Sequence, residues 1–342
     1  MRGTFSTASS ENYVAQVLLL SAAPGDDNDY NRGAFLRLKQ SAQRNRFKDH
    51  QLTDDPRSAD LILFAELKGA GPYFELVRRH PFVKKYREKC FLFCANAFVI
   101  PFLPGVYATI ERRWASVRTV SGFYLGVSEN EFLRFVPPTD DLPYLYSFVG
   151  STGNAPVRRD LAKLVHPRSF FQDTSADYNR VLYGELDKDR VREFWQRYAE
   201  VMQASKFVLC PRGLGVSSVR LFDTMRIGRA PIILSDDWVE PPGPEWEKFS
   251  IRIPEREFAS IPALLEAREA EAVAMGQLAR KQWVDWFAED VCFHRVVEWC
   301  LKIKRERRLP ERWARFIPYL QYLRPFHFHH LLRTRLQNWR GK

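Results

Sequence analysis

One stretch in the second half of the chain combines residue types that bind anions with residue types that bind sugars. Its polar residues are Arg212, Gly213, Ser217, Ser218, Arg220 and Asp223. A helix that begins after a glycine turn presents unpaired backbone N–H groups and the positive end of its dipole, and both attract phosphate. Arg212 and Arg220 can add charge-assisted hydrogen bonds, and the Asp223 carboxylate can accept hydrogen bonds from a ribose. The spacing therefore predicts a site for a nucleotide.

Two apolar runs enclose this stretch and indicate the elements that position it. The runs 207–210 and 230–235 have the length and the apolar content of buried strands. Between them, the apolar spacing over 219–227 is that of a helix, and Gly228 is placed to end it. The pattern predicts one βαβ unit. On this pattern alone, a sheet crossover without a ligand, in which the arginines pair with surface acids, is an equal alternative.

Four short motifs in this region together resemble the exostosin-type glycosyltransferases. In chain order they are Pro211-Arg212-Gly213, S-x-R-x-x-D at 218–223, G-x-x-P-I-I-L-S at 228–235 and Trp238-x-x-Pro241. Their order and spacing match over about forty residues, and weaker similarity continues at 146–161 and 103–107. The resemblance implies a GT-B fold, an α/β architecture of two Rossmann-like doubly wound domains that face a central cleft. It also implies transfer of a sugar from a nucleotide-sugar donor, usually a UDP-sugar, with inversion in many members and without a required metal or other cofactor.

The resemblance gives roles to residues of the central stretch. Without a metal-binding cluster, Arg212, Gly213, Ser218 and Arg220 fit the role of stabilising the departing diphosphate, and Ser217 belongs to the same nucleotide-sugar site. Asp223 matches the acidic residue that faces the nucleoside, where other members often have the longer glutamate. Asp236, where some relatives carry asparagine, would contact hydroxyls of the donor sugar. Arg158 and Arg159 could reach a phosphate, but an exposed helix face is the more common meaning of such a pair.

The first half of the chain alternates strand-like and helix-like segments, as a doubly wound sheet does. Inverting GT-B enzymes usually take the base that deprotonates the acceptor from this half. Acids follow the predicted strands 13–22 and 59–66, and we predict Asp27 and Glu66 as the catalytic candidates. A solvated turn that caps the next helix is the alternative for the acids near Asp27. A retaining enzyme would not need this base, so the stereochemistry stays open.

Prolines between 137 and 143 form the clearest linker, so the predicted units are 1–138 on the acceptor side, 139–301 for the nucleotide sugar, and a basic aromatic tail, 302–342. The tail holds twelve of the 52 lysines and arginines but only two acids, which accounts for most of the net charge of +11. Aromatics between the basic residues suit an anionic membrane surface. Packing of the tail on the N-terminal domain is the compatible alternative, and nucleic-acid binding lacks a recognition module.

Other features bound the class of protein. The five cysteines lie mostly inside apolar runs and are interpreted as buried thiols. The sequence shows no apolar segment of membrane-spanning length, which suggests a cytoplasmic protein, peripheral on the inner face of the membrane. The predicted partners are a nucleotide-sugar donor and a glycan or lipid-linked acceptor in polysaccharide biosynthesis. The alternative function is a non-catalytic subunit that binds a nucleotide sugar or a glycan.

Overall fold

The fold is taken from a computed structural model. It describes residues 13–26, 30–67, 70–71, 73–97, 99–127, 130–182, 187–325, 327–329 and 332–333. All five cysteines are buried free thiols, as their apolar surroundings predicted.

The first half of the chain forms a six-stranded parallel sheet. Its strands are β1 (Gln16–Leu20), β2 (Gln51–Leu52), β3 (Leu61–Glu66), β4 (Cys90–Cys94), β5 (Gly105–Tyr107) and β6 (Thr119–Ser121), in the spatial order β2-β1-β3-β4-β5-β6. The helices of this half are α1 (Gly33–Arg44), α2 (Glu75–Arg79) and α3 (Pro81–Lys85). The strands β3 and β4 are buried along their whole length, because helices or loops cover both faces of the sheet.

The second half forms a five-stranded parallel sheet. Its strands are β7 (Tyr144–Gly150), β8 (Ser169–Asp173), β9 (Ser205–Pro211), β10 (Ala230–Leu234) and β11 (Ile251–Arg252), in the spatial order β11-β10-β9-β7-β8. The helices are α4 (Pro156–Leu161), α5 (Ser175–Leu182), α6 (Lys188–Gln203), α7 (Val219–Ile227), α8 (Trp246–Phe249), α9 (Ile261–Ala267) and α10 (Ala272–Trp286). The predicted βαβ unit is present as β9, α7 and β10, and Gly228 ends α7 in the left-handed conformation.

The last helices return to the first sheet. Helix α11 (Cys292–Glu306) packs against α1 and strands β3, β5 and β6, and the short helix α12 (Glu311–Ala314) follows it. After α12, the Tyr322 ring lies 5.7 Å from Phe102 and the Tyr73 hydroxyl is 2.7 Å from Nδ1 of His327. The described part of the tail therefore packs on the N-terminal domain. The proposed division at 138/139 and 301/302 stays a prediction.

A buried ion pair attaches the tail to the first sheet. Arg118, which precedes β6, donates from Nε and Nη2 to the two carboxylate oxygens of Glu311 at 3.0 and 2.7 Å. The Glu311 side chain is 1% exposed, and Arg307 Nη1 lies 3.7 Å from Oε1 of the same carboxylate. Glu311 thus offsets the charges of Arg118 and Arg307, which lie close together.

We expect Glu311→Ala to lower the free energy of unfolding by about 3 to 5 kcal/mol, because Arg118 would remain buried without its counter-ion. Asp160→Ala, which breaks the exposed pair with Lys163, is the matched control and should cost less than about 1 kcal/mol. Urea unfolding curves measure both values. Equal losses for the two variants would show that the buried pair contributes no more than a surface pair.

Candidate functional site

A cavity of about 430 Å³ lies between the two sheets, at the carboxyl ends of their strands. This is where open α/β sheets bind ligands. On the N-terminal side, the lining residues are Tyr30, Leu67, Ala95, Asn96, Ala97, Tyr124 and Val127. On the C-terminal side they come from the end of β7 and the loop after it, from Arg158 on α4, from Thr174 after β8, from helix α6, from the loop after β9 and from the first turns of α7. Gly213, Ser217, Ser218, Arg220 and Asp223 are therefore brought together on one wall.

The loop between β9 and α7 approaches the N-terminal domain closely at Gly215. A Cβ atom at this position would lie 2.8 Å from Cγ2 of Thr109 and 2.9 Å from the carbonyl oxygen of Ala97. Thr109 is itself fixed, since its hydroxyl donates to the carbonyl of Asn96 at 2.7 Å. Only glycine lets this loop contact the opposite wall, and the contact narrows one end of the cleft.

Helix α7 begins at the cavity without the usual side-chain cap. Ser218 occupies the N-cap position in extended conformation, but its hydroxyl makes no capping hydrogen bond. The buried Ser217 hydroxyl has no hydrogen-bond partner among the described residues. Ser217 and Ser218 line the cavity, so the start of α7, with the positive end of its dipole, borders a space that can hold an anion.

Arg220 is the most informative side chain of the site. It is 6% exposed, and its guanidinium carbon lies 4.5 Å from the centre of the Phe148 ring. Nη2 donates to the carbonyl of Val149, whereas Nε and Nη1 lack a hydrogen-bond partner within the described ranges. A Cβ atom on Gly150 would lie 2.1 Å from Nη2, so a larger residue at the end of β7 would displace the Arg220 guanidinium from this position. A buried cation with two nitrogen atoms that lack hydrogen-bond partners among the described residues is well suited to an anionic ligand.

Asp223 lines the cavity one turn further along α7. The hydroxyl of the buried Tyr198 donates to Oδ2 of Asp223 at 2.9 Å. Burial raises the pKa of Asp223 to about 6, although the Tyr198 hydrogen bond and the nearby arginines oppose this shift. The carboxylate therefore changes its charge within a pH range that is accessible to experiment.

Arg158 does not lie on an exposed helix face, so that interpretation was wrong for this residue. It is 6% exposed and donates to the carbonyls of Arg212 at 2.7 Å, Ser151 at 3.0 Å and Pro211 at 3.2 Å. These carbonyls belong to the loops after β7 and β9. Arg158 therefore ties together the two loops that form the donor-side wall.

Arg212 and Asp236 are turned away from the cavity. Arg212 donates from Nε to Oε1 of Glu255 at 2.8 Å, and Oδ1 of Asp236 accepts from the backbone N–H of Glu255 at 3.1 Å. Both residues hold the turn that begins at Glu255 against the ends of β9 and β10. Their predicted contacts with the donor stay predictions.

The two candidate bases have different outcomes. Asp27 lies outside the described residues. Glu66 ends β3, and its fully buried carboxylate accepts from the backbone N–H of Ala22 at 2.5 Å and from the hydroxyl of Ser21 at 3.1 Å. Burial raises the pKa of Glu66 to about 7. Glu66 thus holds the loop after β1, while Leu67 beside it lines the cavity. Its catalytic role stays a prediction.

Several residues of the cavity were not found from the sequence. The aromatic group on helix α6 consists of Phe194, Trp195 and Tyr198, and Asn96 and Tyr124 face it from the N-terminal side. The position of Asn96, two residues after the buried strand β4, was an available signal, since residues after parallel strands line the crevice. The aromatics of α6 had no comparable signal, because apolar residues at helical spacing equally indicate a core face.

The two facing parallel-sheet domains, with a cavity at the carboxyl ends of their strands, define the predicted GT-B architecture. Residues 136–267 match the family model of the Exostosin GT47 domain. This segment of the chain is thus similar to the exostosin-type glycosyltransferases, as its motifs predicted.

Curated relatives share only part of this chain. An Exostosin-1 homolog of Caenorhabditis elegans is 38% identical over 73 residues, which are 21% of this chain and 19% of the relative. Exostosin-1 of Drosophila melanogaster is 30% identical over 33% of this chain and 15% of its own length. The Probable glucuronosyltransferase GUT1 of Oryza sativa subsp. japonica is 28% identical over 33% and 31%. The matched segments thus span less than a third of each relative.

Two solved structures match this chain in backbone trace at low sequence identity. MurG of Acinetobacter baumannii has a TM-score of 0.36 at 11% identity, covering 78% of this chain and 95% of that one. Anabaena Alr3699/HepE in complex with UDP has a TM-score of 0.36 at 10% identity, covering 85% and 98%.

We expect the stability of the protein to fall as the pH rises from 4.5 towards 7, because of Glu66. The carboxyl ionises near 4.5 in the unfolded chain and near 7 in the folded one, so in this interval the folded protein binds more protons. Glu66→Gln removes this titration. The difference in unfolding free energy between the variant and the wild type should shift in favour of the variant by on the order of 3 kcal/mol between pH 4 and 8. A difference that does not change with pH, from urea unfolding at each pH, would contradict the raised pKa.

Proposed function

We propose that this protein transfers a sugar from a nucleotide-sugar donor, with UDP as the nucleotide, to a glycan or lipid-linked acceptor in polysaccharide biosynthesis. The observation that carries the proposal is the buried guanidinium of Arg220 beside the uncapped start of α7. Two of its nitrogen atoms, Nε and Nη1, make no hydrogen bond to the described residues. A diphosphate supplies the missing acceptors. Arg158 donates hydrogen bonds to three backbone carbonyls and so keeps the surrounding loops in place. The site is therefore formed before the ligand arrives.

In this proposal, Arg220, the Ser217 hydroxyl and the N–H groups of α7 stabilise the charge that develops on the diphosphate as the sugar leaves. These groups supply positive charge and donors without requiring a metal ion. Asp223 accepts hydrogen bonds from the ribose, and the aromatics of α6 border the adjoining space. Transfer with inversion also requires a base on the acceptor side. Asp27 and Glu66 remain the candidates for it.

A second candidate function is a non-catalytic subunit that binds the nucleotide sugar. It is favoured by one observation: among the described residues that line the cavity, the single acidic side chain is Asp223, which lies on the donor side. Donor binding without transfer or hydrolysis of the donor would support this alternative, whereas sugar release that Asp27→Asn or Glu66→Gln abolishes would support catalysis.

The nucleotide site is tested by thermal shift and titration calorimetry with UDP, GDP, CMP and ADP. We expect stabilisation by UDP above the others. Ser217→Ala should leave the unliganded protein at least as stable, since it removes a buried hydroxyl without a partner, and should weaken UDP binding about tenfold or more. Arg220→Lys, which loses the planar fork, should weaken it at least as much.

Arg159→Lys, at the exposed neighbour of Arg158, is the matched control and should bind UDP like the wild type. Equal nucleotide affinity in Ser217→Ala, Arg220→Lys and this control would show that the nucleotide does not bind at the first turn of α7. Some of the relatives are named probable glucuronosyltransferases, so UDP-glucuronic acid is the first donor to be tried.

Donor binding should also depend on pH through Asp223. The carboxylate accepts hydrogen bonds from ribose hydroxyls better than the protonated acid does, so affinity should increase as the pH rises through about 6. A UDP-sugar is the suitable ligand, because its diphosphate does not titrate in this range. Asp223→Asn should bind with an affinity that is flat between pH 5 and 7.5. A wild-type affinity that is equally flat would exclude a titrating Asp223 from the ribose contact.

A further inference from the structure

The tail presents an apolar surface to the outside. Among the described residues of 311–327, the buried ones are mostly small or polar, namely Glu311, Ala314, Pro318, Gln321 and His327, and the half-buried Tyr322 packs on Phe102 beside them. The outward side chains are large and apolar, namely Trp313, Phe316, Ile317, Leu320, Leu323 and Phe328, which we call the tail face. Nine of the twenty exposed large apolar side chains among the described residues lie between 309 and 332. The segment thus directs most of its large apolar side chains outward, unlike a helix that covers a core.

The tail face is exposed although the segment that carries it is packed against the N-terminal domain. The inward residues are fixed by the Arg118–Glu311 ion pair, by the contact between Tyr73 and His327, and by Arg324, whose Nη1 lies 3.3 Å from Oε2 of Glu111. The tail face is therefore held in one orientation on the N-terminal domain. A single exposed apolar residue needs no explanation, but a concentration of this kind marks an interaction surface.

The charges around the tail face are basic. Arg308, Arg312 and Arg315 are exposed on the same segment, and the guanidinium carbon of Arg315 lies 4.5 Å from the centre of the Phe316 ring. Nearby acids are already paired: Glu311 with Arg118, Glu88 with Arg307, Glu111 with Arg113 and Arg324, and Glu306 with Lys302. The surface therefore combines apolar side chains with unneutralised positive charge.

We propose that the tail face docks on the surface of an anionic lipid bilayer. Tryptophan, phenylalanine and leucine side chains enter the boundary between headgroups and acyl chains, while arginines at the rim contact lipid phosphates. The same arginines disfavour a second copy of this chain as the partner, because two basic surfaces would face each other. The docked orientation places the N-terminal domain, which carries the tail, against the membrane.

Flotation of the full-length chain with vesicles tests this proposal, with no donor or acceptor present. Vesicles of phosphatidylcholine with phosphatidylglycerol should bind the protein at least tenfold more tightly than vesicles of phosphatidylcholine alone, and salt should weaken the binding. Trp313→Ser with Leu320→Ser, and separately Arg312→Gln with Arg315→Gln, should each reduce binding at least tenfold. Thermal unfolding confirms that the variants are folded.

The matched controls lie on the C-terminal domain. Val165→Ser removes an apolar side chain that is 90% exposed, and Arg256→Gln removes an exposed arginine, so both should bind vesicles like the wild type. No binding of the wild type to anionic vesicles, or equal binding by the tail variants and the controls, would overturn the proposal. A dimer that Trp313→Ser with Leu320→Ser dissociates, seen by light scattering without vesicle binding, would identify a second copy as the partner instead. Because nucleotide binding is measured separately, this result leaves the transferase proposal unaffected.

Discussion

The donor-side wall depends on how buried arginines are satisfied. A guanidinium group has five N–H donors, and each one that is buried must find an acceptor. In the C-terminal domain, Arg229 donates to the carbonyls of Gln203, Val136, Ile227 and Gly228, and Arg158 donates to three carbonyls at the ends of β7 and β9. Burial lowers the pKa of Arg229 to about 10, so its charge is maintained at neutral pH. These two arginines replace tertiary hydrogen bonds that the loops cannot make among themselves.

Arg220 differs from the other two in a way that separates a ligand site from a structural contact. It is equally buried, but it uses one donor on Val149 and stacks on Phe148. Its Nε and Nη1 groups have no acceptor within the described part of the chain. Burying a cation in this state is costly unless an anion completes its shell, so the stability gained by filling it is available for ligand binding. The loops that Arg158 holds, together with Gly150, fix the position of the Arg220 guanidinium, so its Nε and Nη1 atoms stay available to a ligand.

Sequence reasoning found the central unit because its signals are local. Apolar runs mark β9 and β10, helical spacing marks α7, and Gly228 ends α7 as predicted. It could not distinguish the three arginines, because the burial of each depends on loops that are distant in sequence. The apolar spacing over 269–308 predicts one long helical stretch, whereas the chain breaks between Trp286 and Cys292 and crosses back to the first sheet. No proline or glycine marks that break, which is set by the packing of α11 on α1 and β5.

The tail shows how one segment can satisfy two alternatives that the sequence left open. Alternating aromatic and basic residues indicated either packing on the N-terminal domain or a membrane surface. In the structure, these two demands fall on different sides of the segment, since Glu311 and His327 face inward and Trp313 and Leu320 face outward. The segment therefore packs on the N-terminal domain through its inward side, and its outward side remains exposed for another contact.

The loop after β5 connects the two walls of the cleft. Thr109 contacts the donor loop at Gly215, Glu111 forms a β-bridge with Trp238, and the Arg112 N–H donates to the carbonyl of Asp237 at 2.9 Å. Residues that follow β9 and β10 thus rest on the same N-terminal loop. A change in the angle between the domains must move this loop relative to the start of α7. The geometry of the anion site is consequently linked to the relative position of the acceptor-side domain, even though every proposed phosphate contact comes from the C-terminal sheet.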